Sequence, residues 1–87
     1  MKLFAKVVTF QGGYDCDKKD IKASGYQIGD MFEVSFVDMG QSYTSIYDAK
    51  DNKSYNSIYF DFFNDMGNQI DIYKSPYYNP YIQNKMI

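Results

Sequence analysis

The chain has 87 residues, with ten Tyr, seven Phe, one Cys, no His, Arg or Trp, and a formal net charge of −2. That length makes one domain with a thin burial margin. The lack of His excludes Cys-His and Ser-His-Asp catalysis, the single Cys excludes an intramolecular disulfide framework, and mild acidity gives no electrostatic basis for binding duplex DNA or an anionic membrane.

The first ten residues, Met1 to Phe10, mix apolar and polar residues and carry two Lys. They lack the continuous apolar run and cleavage site of a signal peptide. No apolar stretch approaches the roughly 20 residues that span a bilayer. The expectation is a cytoplasmic protein. All basic residues are Lys, and Ile, Asn, Tyr, Phe and Asp abound. Those residues have AT-rich codons, which concerns the source genome and not the mechanism.

The apolar pattern predicts five strands. Segment 2–10 is rich in β-branched and aromatic residues. Segment 31–37 sets Phe32, Val34 and Phe36 against Met31, Glu33 and Ser35. Segment 42–48 sets Tyr43, Ser45 and Tyr47 against Thr44 and Ile46. Segment 55–63 puts Ile58, Phe60 and Phe62 on the core face and Tyr59, Asp61 and Phe63 on the other. Segment 69–73 sets Ile70 and Ile72 against Asp71 and Tyr73. Short turns at 38–41, 49–54 and 64–68 join the last four strands, so residues 31–73 read as an antiparallel meander. The stretch 11–30 is long for a bare loop and has room for one helical turn around Lys18–Lys22.

The end, SPYYNPYIQNKMI, is different in kind. Pro76 and Pro80 forbid a central strand. Tyr77, Tyr78 and Tyr81 would form an exposed apolar liability unless they pack on the sheet or on a second chain. The domain reading is a single unit, 1–87, with a barrel over 1–73 and a docked extension over 74–87.

The layout of five strands, with one long first connection followed by short ones, resembles the SH3-like small barrel. The run Tyr26-Gln27-Ile28-Gly29-Asp30-Met31-Phe32-Glu33-Val34, a glycine leading into a strand, looks like the approach to the second strand of such barrels. It is also similar in style to small bacteriophage and prophage reading frames. The resemblance implies an all-β, five-stranded antiparallel barrel. A five-stranded OB-type barrel, or a sheet with one helix from 14–24, is the alternative.

Few residues offer chemistry. Asp15, Asp17 and Asp20 lack the glycine and glutamate spacing of a calcium loop, and Lys18 and Lys19 intrude, so they read as a solvated turn without metal. Cys16 lies between two acids, the wrong neighbours for a thiolate nucleophile. No catalytic residue and no cofactor site is expected. The aromatic set is the binding candidate: Tyr43, Tyr47, Tyr59, Phe63 and Tyr73 opposite the core, with Tyr77, Tyr78 and Tyr81 from the tail. These rings form either a second small core under the tail or an interface, because Tyr and Phe concentrate at interface centres. A host protein is the leading partner, with self-association next and a stacked nucleotide third. The leading expectation is a phage accessory protein that occludes a host protein, such as an antiviral defence component. Asp38, Asp48, Asp61, Asp65 and Asp71 would form its acidic rim. An oligomeric nucleotide-signal sponge and a small virion component are the other readings.

Overall fold

A computed structural model of the chain describes residues 2–40 and 42–74. It is mostly β, with one six-stranded antiparallel sheet and one short helix. The strands are β1 (Leu3–Val7), β2 (Met31–Met39), β3 (Thr44–Asp48), β4 (Ser54–Asn56), β5 (Phe60–Asn64) and β6 (Gln69–Ile70), in the order β4-β3-β2-β1-β5-β6. The meander β2–β3–β4 is the predicted one. β1 lies in the middle, pairing β2 through Leu3↔Val34 and β5 through Leu3↔Asn64. The sheet is not closed. β4 pairs only with β3 and β6 only with β5, so both are edges among the described residues.

The predicted fourth strand, 55–63, is in fact two strands. A 3-10 turn at Ser57–Tyr59 separates β4 from β5, and its start is capped by the Asn56 side chain, which accepts from the Ile58 N–H at 3.2 Å. The turn breaks the two-residue period. Tyr59 and Phe60 therefore both point inward, and Ile58, expected in the core, is 49 % exposed. A bulge in β2 between Val34 and Phe36 has a similar effect. Beyond it Val37, not Phe36, is buried opposite Ile46, and Phe36 moves to the other face opposite Tyr47. Ile70 is only half-buried, whereas Ile72 is fully so.

The long connection holds helix α1 (Asp15–Ala23). Asp15 and Asp17 in its first turn favour the positive end of the helix dipole. Its end is a Schellman motif: the Gly25 N–H reaches the Lys22 carbonyl at 3.0 Å, the Tyr26 N–H reaches that of Ile21 at 3.4 Å, and Gly25 takes φ +89°. Ile21 is the helix's only buried residue. It joins Leu3, Ala5, Val7, Val34, Val37, Ile46, Phe60, Phe62 and Ile72 in the core. The helix thus packs on the inner side of the sheet beside β4, and the opposite face carries no helix among the described residues.

Candidate functional site

The structure distributes the sequence-predicted aromatics over several places. Tyr47 and Phe63 share the outer face of the sheet. Tyr47 stands opposite Phe36 in the register of β2 and β3, with ring centroids 5.6 Å apart and planes at 62°. Phe63 stands opposite Phe4 in the register of β1 and β5. All four rings are half-buried. Phe4 also faces Glu33 across β1 and β2, and Lys6 faces both Met31 and Asp61. The outer face is therefore an aromatic strip with charges of both signs beside it. Phe4 and Phe36 were not among the predicted site residues. Phe4 could have been found from the alternation of 2–10, but Phe36 could not, because only the bulge turns it outward.

Tyr59 does not belong to this strip. It is fully buried by the 3-10 turn, and its hydroxyl donates to the Gly12 carbonyl at 3.1 Å. Tyr43 is exposed at the start of β3, beside a small polar cleft that Asp17, Asp20 and Asn56 also line. Tyr73 is exposed at the other edge, where its hydroxyl and that of Ser57 are 2.7 Å apart. There it lines a cleft of about 650 Å3 with Ile58 and Ile70. Tyr77, Tyr78 and Tyr81 lie outside the described residues. Of the rim acids, Asp61 is on the outer face and Asp65 and Asp71 are exposed near the β6 edge. Asp38 is half-buried on β2. Asp48 is not on a rim at all, being 1 % exposed.

Asp48 anchors a cluster that the sequence pattern gave no reason to single out. The Schellman end of α1 delivers Tyr26, whose ring stacks on Phe32 with centroids 4.7 Å apart and planes at 20°. Its hydroxyl donates to Asp48 Oδ2 at 2.5 Å. The Lys50 N–H donates to Oδ1 at 2.9 Å, and the Lys50 ammonium lies 3.9 Å from Oδ2 and 4.6 Å from the centre of the Tyr26 ring. Tyr55 meets Tyr26 and Phe32 edge-on and shares a 2.6 Å hydrogen bond with Ser24. Burial, then the Asp48 carboxylate, pushes the Tyr26 hydroxyl far above the ordinary phenol range. Burial raises Tyr55 and Tyr59 as well. A phenol held protonated in this way is a hydrogen-bond donor and not a base. Tyr26 sits in a loop with no periodicity, and no sequence signal pairs it with Asp48.

Among the described residues, no group of three or more Cys, Asp or Glu is arranged to hold a metal ion. No described helix is long and apolar enough to cross a membrane.

A family model described as bacteriophage T4 protein Y07B matches residues 2–84. An uncharacterized 11.2 kDa protein from the segB-ipI intergenic region of Enterobacteria phage T4 is 33% identical over 81 residues, which cover 87% of this chain and 85% of that protein. No solved structure matches the chain, so none supports the SH3-like resemblance.

Proposed function

The chain belongs to the family of bacteriophage T4 protein Y07B, and from that premise we propose that it is a phage accessory protein that binds and occludes a host protein without catalysing a reaction. The observation that carries this reading is the outer strip of Phe4, Phe36, Tyr47 and Phe63, brought onto one sheet face that no described helix covers. Aromatic rings supply large contact area with few rotatable bonds, which suits the centre of an interface. Asp61 and Glu33, offset by Lys6 and Lys2, supply a polar margin that sets orientation more than affinity. The site of action is the cytoplasm of the infected cell, and an antiviral defence component is the partner class this reading favours.

Tagged protein recovered from infected cells tests it. The wild-type chain should hold one host protein at fixed stoichiometry. A Phe36→Ser/Tyr47→Ser variant with an unchanged melting temperature should lose it. Equal recovery by the variant would move the binding surface elsewhere. A bound nucleotide in place of a protein would support the sponge reading, and self-assembled rings or tubes the virion reading; either would contradict occlusion.

A further inference from the structure

The cleft at the β6 edge has a largely apolar wall. Ile58, 49 % exposed, and Tyr73, 53 % exposed, stand in it with half-buried Ile70, beside Phe60 and Phe62. Its volume is about 650 Å3, and it is open to solvent. β6 pairs only with β5, so its far side has no strand partner among the described residues. Helix α1 packs beside β4, at the opposite end of the strand order. Two carboxylates line the cleft as well. Asp71 accepts the Tyr73 N–H at 2.9 Å, and Asp61 faces Lys6 across β1 and β5.

The described residues end at this cleft. The Lys74 N–H donates to the Asp71 carbonyl at 3.2 Å and closes a turn there. The Tyr73 hydroxyl, 2.7 Å from that of Ser57, ties the turn to the 3-10 segment. Residues 75–87 follow directly. They carry Tyr77, Tyr78, Tyr81, Ile82, Met86 and Ile87, and their only charged side chain is Lys85. Four residues of chain span at most about 14 Å, so Tyr77 starts within that distance of Tyr73.

We propose that the β6-edge cleft is the seat of the chain's own C-terminal segment, with rings from the Tyr77–Tyr81 run packed against Ile58, Ile70 and Tyr73. The two surfaces match in chemistry. The wall is apolar with two acids at its margin, and the segment is aromatic with no side-chain carboxylate to oppose Asp61 or Asp71. Tethering decides the occupant. A short connection holds the segment at an effective concentration on the order of millimolar, so a contact too weak for a separate peptide suffices. Pro76 and Pro80 pre-set the backbone and lower the entropy lost on docking. Seated there, the segment shields the open β6 edge from pairing with another chain. The inference does not rest on the occlusion reading, whose surface is the four-ring strip.

The test is a methyl–aromatic nuclear Overhauser experiment on the full chain. Cross-peaks should join the rings of Tyr77, Tyr78 or Tyr81 to the methyl groups of Ile58 and Ile70, at the same relative intensity after dilution. Ile58→Lys changes a half-exposed position. It should remove the cross-peaks and speed chymotrypsin cleavage within 77–81 about tenfold, with amide protection in β1 and β2 unchanged. Met66→Lys, at an exposed turn position, should do neither. Equal cleavage of the two variants would overturn the proposal. Cross-peaks only between differently labelled copies would give the cleft to a second copy's segment. Random-coil signals from Tyr77 to Tyr81 with no cross-peaks would leave it to a separate partner, and cross-peaks to Phe36 and Tyr47 would put the segment on the outer strip. Each of these results would overturn the proposal as well.

Discussion

The Tyr26 hydroxyl donates to a carboxylate, that of Asp48, which is 1 % exposed. This bond ties the connection after α1 to the end of β3. Lys50 completes the carboxylate's partners from the turn that follows, through its N–H and its ammonium. Removing the donor leaves a buried charge with less compensation. Tyr26→Phe should therefore cost about 1.5–3 kcal/mol, the range for hydrogen bonds to charged groups. Asp48→Ala should cost more, because three contacts vanish. Urea unfolding midpoints measure both, and a Tyr26→Phe loss below about 0.5 kcal/mol would remove this bond from the account.

Tyr26, Tyr55 and Tyr59 hold their protons more tightly in the folded chain than the ordinary phenol value of 10.0, chiefly through burial. Below pH 10 the stability they contribute is fully present. Above it the unfolded chain releases protons that the folded chain keeps, so stability falls as pH rises toward the raised folded values. Absorbance of phenolate should rise in two stages, with the second coinciding with loss of the circular dichroism signal. A single stage near pH 10 with the fold intact would contradict the burial of these hydroxyls.

Gly13 has φ +64°, and a Cβ there would collide with the Tyr59 hydroxyl. Gly12 has φ +80° with open space around it. Both substitutions by Ala carry the left-handed backbone penalty of about 1 kcal/mol. Only Gly13→Ala must also push Tyr59 from its place beside the Gly12 carbonyl. It should lower the melting temperature well beyond Gly12→Ala. Equal effects would show that Tyr59 can move freely.

Helix α1 buries one side chain, Ile21. Ile21→Ala should cost about 2–5 kcal/mol, the range for emptying a buried aliphatic site. Amide protection in 15–23 should fall further than in β1 and β2. Uniform loss of protection would mean the helix does not open separately from the sheet.

The parts of this fold that alternate without interruption were legible in the sequence. Phe32 and Val34 are buried as their period requires, and the predicted turn at 64–68 is present, with Gly67 at positive φ. Legibility failed wherever one residue changed the phase. The bulge after Val34 exchanged Phe36 for Val37, and the 3-10 turn brought Tyr59 inside. The helix was read from the sequence only as the alternative of one helix from 14–24, since a single apolar residue, Ile21, fixes Asp15–Ala23 to the core. Tyr47 and Phe63 were correctly paired with the outer side, but the four-ring strip needed Phe36, which only the bulge supplies. The Tyr26–Asp48 pair joins positions 22 residues apart in two loops' flanks, and no local pattern encodes it.

Photocrosslinking in infected cells shows whether the outer aromatic strip is the surface that meets a host protein. A benzophenone amino acid placed at Phe63 or Tyr47 should give one defined adduct with a host protein. The same group at Tyr14, which is 77 % exposed at the start of α1, should give none. Adducts from Tyr14 with none from Phe63 and Tyr47 would contradict the claim.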